Sequence, residues 1–158
     1  MAFVALVIAL SVAPRAEAGG TWAWPLVGPV VREFDKPDND YSEGHRGIDI
    51  GALRGREVRS PTDGVVWFAG RVAGKSVVSI DTADGSITAM EPVEASVQRG
   101  DIVRRGDTIG IVSDTHDGMS AIHLGIRVDG VYVNPRLYLG NPPRIVVYDS
   151  WLDSYALG

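Results

Sequence analysis

Residues 121–128 read Ala-Ile-His-Leu-Gly-Ile-Arg-Val, an alternation of apolar side chains with residues of other kinds. Successive side chains of a β-strand point to opposite faces of the sheet, so this alternation predicts a half-buried strand. The two isoleucines and the leucine share the face that would pack into a core. His123 lies on the other face, beside Gly125, which leaves room for a ligand. The segment therefore predicts a histidine outside the apolar core.

The rest of the chain after residue 20 predicts an all-β domain. Five segments are β-branched or aromatic and are bounded by Gly, Asp or Pro, namely 64–68, 76–80, 86–90, 108–112 and 122–128. The dipeptides Asp84-Gly85 and Asp129-Gly130 predict hairpin turns of type I′, in which both central residues have positive φ. No stretch of residues 20–140 shows helical periodicity. We therefore expect antiparallel β-structure, as a sheet or a sandwich.

Composition excludes several classes of protein. The 158 residues fit one domain with a substantial core. A net charge of −5 and a pI near 5.1 argue against a nucleic-acid binder, which usually carries a clustered basic face. Because the chain has no cysteine, a disulfide framework is excluded, and a metal site could draw only on His, Asp and Glu ligands.

The N-terminus predicts export. Residues 1–13 are almost wholly apolar, and Ala16-Glu17-Ala18 has the small-x-small pattern of a signal-peptidase site. The run is too short to span a bilayer, so we expect a signal peptide over 1–18 and no stable membrane span in the mature chain. The alternative is a buried first helix, against which the Pro and the two glycines that follow argue. The main domain would cover 19–140, with a C-terminal extension over 141–158.

A second histidine begins a similar pattern. In residues 44–50, Gly-His-Arg-Gly-Ile-Asp-Ile, His45 and Asp49 share one face whether the segment is a strand or a helix. Together with His123 they are a plausible ligand set for one catalytic zinc, with a coordination position left open for water. A His-x-x-x-Asp pair alone has low specificity.

These segments resemble the motifs of the M23 family of peptidoglycan endopeptidases, the lysostaphin-like or LytM-type peptidases. The resemblance covers about residues 24–137 and rests on residues 44–50, 55–64, 100–110 and 122–127, in the order of the family. It implies a β-rich fold around a zinc held by His45, Asp49 and His123. It also implies a peptidoglycan peptide as substrate and a secreted or cell-envelope location.

Two positions depart from the pattern of the family. The family usually has a histidine two residues before its last ligand, as general base, and this chain has Ala121 there. A second histidine usually stands where this chain has Glu91. Proton transfer would then fall to Glu91 or to His116, which lies in a polar turn seven residues before His123. The alternatives are a solvated strand-end residue for Glu91 and an exposed loop histidine for His116.

The sequence also resembles an actinobacterial-type branch of the family, which reads Glu-Pro-Val where this chain has residues 91–93. On that comparison His116 matches a histidine of the branch. Asp117 and Ala121 stand at its two cysteine positions, so the disulfide of the branch is absent here.

We therefore predict an exported zinc metalloendopeptidase. The alternative is a catalytically inactive M23-like domain that binds cell-wall peptide or regulates another hydrolase, for which Glu91 and Ala121 are the evidence. A carrier domain of the biotinyl or lipoyl type is suggested by the Gly-Asp-x-Val-x-x-Gly segment at 100–106. However, the two lysines, Lys36 and Lys75, lack the sequence context of an attachment lysine. The oligomeric state stays open.

Overall fold

The computed structural model describes residues 21–38, 42–113 and 121–143. These residues form β1 (Val30–Arg32), β2 (Gly47–Gly51), β3 (Glu57–Arg59), β4 (Gly64–Val72), β5 (Lys75–Asp81), β6 (Ser86–Glu91), β7 (Val93–Ala95), β8 (Ile102–Val103), β9 (Thr108–Val112), β10 (Ala121–Val128), β11 (Val131–Val133) and a 3-10 turn at Pro135–Leu137. The predicted signal peptide, His116 and most of the predicted C-terminal extension lie outside the described residues. No helix in the described part of the chain is long and apolar enough to cross a membrane.

The strands form two antiparallel sheets. The larger sheet has the order β1-β2-β10-β6-β5-β4-β8, and β11 also pairs with β10. The smaller sheet has the order β3-β9-β7. Each of the five predicted strands is present, and the predicted all-β antiparallel fold is confirmed. Most of the strands that the sequence did not predict have two or three residues, too few to show an alternation.

One face of the larger sheet packs into the core. On this core face Ile122, Leu124 and Ile126 of β10 are fully buried, and they join a cluster that includes residues of the smaller sheet such as Val58 and Ile109. Full burial of one such side chain contributes roughly 1.5–3 kcal/mol. A slip of one residue in β10 would expose these side chains and bury His123, so packing fixes the register of the strand.

The turns agree with the sequence in part. Asp129 and Gly130 have φ values of 50° and 81°, as the predicted type I′ turn between β10 and β11 requires. The prediction of type I′ is wrong at Asp84-Gly85, where only Gly85 has positive φ. There the connection runs over four residues, and the Asp84 carboxylate accepts hydrogen bonds from the backbone N–H and the hydroxyl of Ser86, at 3.0 and 2.6 Å, and from the Thr82 hydroxyl. The side chain of Asp84 thus organises this turn.

These hydrogen bonds lower the pKa of Asp84 from 3.8 to about 2, chiefly through the hydroxyl groups of Ser86 and Thr82. We expect Asp84→Ala to reduce the free energy of unfolding by about 1 kcal/mol at neutral pH, because the exposed turn loses several modest hydrogen bonds. The folded state favours the ionised form, so this contribution is complete above pH 3.8 and is lost as the pH falls to about 2. Urea unfolding at several pH values measures it. Asp38→Ala, which removes another exposed carboxylate, is the control, and an equal loss in both variants would contradict the role of Asp84.

Candidate metal centre

The register of three neighbouring strands aligns the candidate side chains. Asp49 of β2 lies directly opposite His123 of β10, and Glu91 of β6 lies opposite His123 on the other side. We call these three residues the site row and the face that carries them the site face, which is opposite the core face. His45 precedes β2 and is held by a β-bridge in which its N–H donates to the Asp35 carbonyl oxygen, at 2.8 Å. The structure therefore brings His45, Asp49 and His123 together.

Three donor atoms converge in this cluster. His45 Nε2 lies 3.0 Å from Asp49 Oδ1 and 3.1 Å from His123 Nδ1, and His123 Nδ1 lies 2.9 Å from the same Asp49 oxygen. Tetrahedral ligands at about 2.0–2.1 Å from a zinc ion lie about 3.3 Å from one another. The triangle of donor atoms is therefore close to the size that a zinc ion requires.

The backbone fixes which nitrogen of His45 faces the cluster. His45 Nδ1 lies 2.7 Å from the Glu33 carbonyl oxygen, which can only accept, so Nδ1 carries the proton. In the neutral ring Nε2 then has a lone pair, and it faces a carboxylate oxygen that also only accepts. A single proton on His123 Nδ1 could be donated to His45 Nε2 or to Asp49 Oδ1, but it would leave the contact between those two acceptors unsatisfied. A cation among the three atoms would satisfy all three contacts. The donor set thus fits a metal ion, and the Glu33 carbonyl orients one ligand.

Burial favours the ligating form of His123. The pKa of this imidazole is lowered, chiefly because burial penalises the charged ring, although the hydrogen bond and charge of Asp49 and the charge of Glu91 raise it. His45 is buried, and Asp49 and His123 are half-buried. A neutral imidazole is the form that binds a metal ion, so the environment prepares His123 for this role.

Two glycines on the site face differ in how closely they are packed. A Cβ atom on Gly47 would lie 2.2 Å from the Leu124 carbonyl oxygen and 2.7 Å from the His123 ring. A Cβ atom on Gly125 would make only ordinary contacts, 3.4 Å from the Arg46 carbonyl oxygen and 3.5 Å from His123 Nε2. Gly47 is therefore required for both the strand pairing and the position of the His123 ring, and Gly125 is not.

The remaining candidates are placed differently. Glu91 lies beside the metal cluster in the site row, and its Oε1 accepts a hydrogen bond from Lys75 Nζ at 3.2 Å. Sequence reasoning considered Lys75 only as a carrier attachment site and did not place it near the cluster. Ala121, two residues before His123 on the same strand face, brings only a methyl group to the site face. His116 lies outside the described residues, so its role as a catalytic residue stays a prediction.

Comparison with known proteins gives a consistent result. The model of Peptidase family M23 matches residues 43–135, more than half of the chain. An uncharacterized protein of Mycobacterium tuberculosis is 37% identical over 114 residues, which cover 71% of this chain and 46% of that protein. The murein hydrolase activator NlpD of Escherichia coli is 29% identical over 122 residues, which cover 75% of this chain and 31% of NlpD. The chain thus spans less than half of the length of either relative.

Among solved structures, the fold is similar to that of a mutant catalytic domain of EnpA, a prophage-encoded M23 protein of Enterococcus faecalis. The TM-score is 0.58 at 26% identity, and the match covers 73% of this chain and 96% of the EnpA domain. The similarity extends over nearly all of that catalytic domain.

The two glycines provide a matched pair of variants. We expect Gly47→Ala to weaken zinc affinity at least about 10-fold, because it displaces a ligand ring. It should also lower the free energy of unfolding by roughly 1–3 kcal/mol, because it forces the backbones of β2 and β10 apart. Gly125→Ala should bind zinc like the unsubstituted protein. Competition with a chromogenic chelator measures affinity, and equal affinities in the two variants would contradict this account of the site.

Proposed function

The chain belongs to peptidase family M23, and from that membership and the geometry of its site we propose that it is an exported, zinc-dependent endopeptidase that cleaves peptidoglycan peptides. The observation that carries the proposal is the convergence of one carboxylate oxygen and two imidazole nitrogens within 2.9–3.1 Å of one another. His45, Asp49 and His123 would hold the metal ion. When bound, zinc supplies Lewis-acid chemistry for hydrolysis of a peptide bond.

The residues around the metal ligands have separate tasks in this proposal. The Glu33 carbonyl holds the His45 ring in place through Nδ1, and burial lowers the pKa of His123, which favours its neutral form. Proton transfer is assigned to Glu91 or to His116. Glu91 is supported by its position in the site row, opposite His123, and Lys75 Nζ contacts only one of its two carboxylate oxygens, Oε1. His116 is supported by its match to the histidine of the actinobacterial-type branch.

Export to the cell envelope is part of the same proposal. The apolar residues 1–13 and the Ala-Glu-Ala site before residue 19 support a cleaved signal peptide. The similarity to NlpD, a murein hydrolase activator, supports a role at the cell wall.

A second candidate function is a non-catalytic regulator of another cell-wall hydrolase. It is favoured by Glu91 and Ala121, which stand where the family usually has histidines. It is also favoured by the similarity to an activator. The metal cluster would then stabilise a binding surface for peptide or for a partner enzyme.

Zinc content tests the metal site. We expect one zinc ion per chain after loading and desalting, measured by inductively coupled plasma mass spectrometry. Asp49→Ala and His123→Ala should each weaken zinc affinity by more than about 100-fold, because loss of a ligand exceeds the effect of losing a supporting group. Asp81→Ala, which removes a half-buried aspartate at the end of β5, is the control and should keep the metal ion. A zinc-free protein after loading would refute the site.

Digestion of purified peptidoglycan separates the two functions. The zinc-loaded protein should release new peptide termini, and the variant that loses the general base, Glu91→Gln or His116→Ala, should lose about 100- to 10,000-fold in turnover. Separation of the muropeptides by liquid chromatography and mass spectrometry identifies the bond that is cut. A zinc-loaded protein without turnover on any cell-wall substrate would contradict the endopeptidase proposal. If Ala121→His then produced turnover, the missing imidazole would be the reason, and the regulator would be the better description.

A further inference from the structure

We propose that Lys75 is a further residue of this site, and that its ammonium group donates a hydrogen bond to the oxygen of the attacked peptide carbonyl as negative charge develops there. The inference rests on the proposed endopeptidase function and extends it to a residue outside the family's motifs. Hydrolysis of a peptide bond places negative charge on the carbonyl oxygen, and one donor aimed at that oxygen is typically worth about 100- to 1,000-fold in rate.

The need for such a donor follows from the two departures from the family's pattern. Ala121 brings only a methyl group to the site face. Glu91 brings a carboxylate that is paired with an ammonium group, and a carboxylate in such a pair accepts hydrogen bonds and donates none. Neither position can therefore supply the N–H group that an imidazole would supply.

The strand geometry brings Lys75 to the same place. Lys75 is the first residue of β5 and follows a tight turn in which Ala73 and Gly74 have φ values of 48° and 87°. Ser79 of β5 lies opposite Ala89 of β6, which shares the site face with Glu91. Because side chains alternate along β5, Lys75 emerges on this face as well. The contact of 3.2 Å between Lys75 Nζ and Glu91 Oε1 brings the ammonium group to the site row.

The ammonium group can still donate a hydrogen bond to a substrate. It has three N–H donors, and among the described residues Glu91 accepts one of them. The Lys75 side chain is about half exposed, at 49%, and a peptide can therefore reach it. Glu91 acts here as a positioning residue, since its carboxylate holds a long and otherwise flexible side chain beside the metal cluster.

Arg32 of β1 lies opposite Asp49, next to an irregularity in the strand pairing and on the side of the metal cluster away from Glu91. Arg127 is the other cation to consider on the site face, and its position is less suitable. It lies four residues from His123 along β10, about 13 Å away at 3.3 Å per residue. Its guanidinium group packs over the Tyr132 ring, 4.6 Å from the centroid. Among the described residues, Lys75 is the cation whose hydrogen bond to Glu91 places it on the side of the cluster where the two imidazoles are replaced, so we assign the donor role to Lys75.

A purely structural role for the ion pair predicts something different. Exposed ion pairs contribute little to the free energy of unfolding, so Lys75→Met would then leave both stability and chemistry nearly unchanged. A donor to the developing charge instead affects turnover more than substrate binding. It also affects the binding of a stable tetrahedral anion.

The experiment compares Lys75→Met and Lys75→Arg with Lys36→Met, which removes an exposed lysine from the segment before His45. Each zinc-loaded protein is assayed for kcat and KM on solubilised peptidoglycan, and for calorimetric binding of a phosphinic peptide with alanine on both sides of the phosphinate. We expect Lys75→Met to lower kcat about 100-fold with a nearly unchanged KM, and to weaken phosphinate binding at least 10-fold. Lys75→Arg should keep part of the kcat and part of the phosphinate affinity that Lys75→Met loses. Zinc content and Tm should stay at the values of the unsubstituted protein in all three variants.

The outcomes separate this inference from the proposed function. If the unsubstituted protein is active, and Lys75→Met changes neither kcat nor phosphinate affinity, the role of Lys75 is overturned. The proposed endopeptidase function then stands. An inactive protein that binds the phosphinate only with Lys75 present would refute the endopeptidase and keep Lys75 as an anion-binding residue of the site. A loss in Lys75→Met that Lys36→Met reproduces would show a general effect of charge and would also overturn the inference.

Discussion

The pairing of β2 with β10 is the constraint on which the rest of this structure depends. Ile48 and Ile50 of β2 are fully buried with the alternate apolar residues of β10, and their burial fixes one register between the two strands. Because side chains alternate, the same register places Asp49 against His123 on the opposite face. The apolar core and the metal cluster are therefore two results of a single alignment, and neither could shift by one residue without the other.

Most of this arrangement could be predicted from the sequence, for a physical reason. Alternation in residues 121–128 determines which face His123 occupies. The spacing of four residues predicts that His45 and Asp49 lie together, but His45 precedes β2, and its β-bridge to Asp35 places it there. The contribution of Lys75 could not be predicted, because it depends on the register between β5 and β6 and on the reach of a long side chain. The Glu33 carbonyl left no signal at all, since a backbone oxygen is present in every residue. The predicted hairpin at Asp84 is present between β5 and β6, but its turn is not of type I′, and the hydrogen bonds of the Asp84 side chain organise it instead.

The two faces of the larger sheet have separate roles, one in stability and the other in the candidate site. Stability comes from the core face, whose residues are buried against the smaller sheet, whereas the two departures from the family's pattern at Glu91 and Ala121 lie on the site face. Replacement of an imidazole by Ala121 or Glu91 therefore leaves the packed core untouched. This division explains how the chain retains the M23 fold and a complete set of candidate metal ligands while its assisting groups differ.

The separation in sequence of the three ligands has a further consequence. His45 and His123 are 78 residues apart, and the chain has no cysteine. An ion held between them would close a loop of that length, as a disulfide does in many exported proteins, and would reduce the conformational freedom of the unfolded chain. Metal supply would then govern the persistence of the folded protein as well as its chemistry. Chelation would then act on this protein in the way that a reducing agent acts on a disulfide-bonded one.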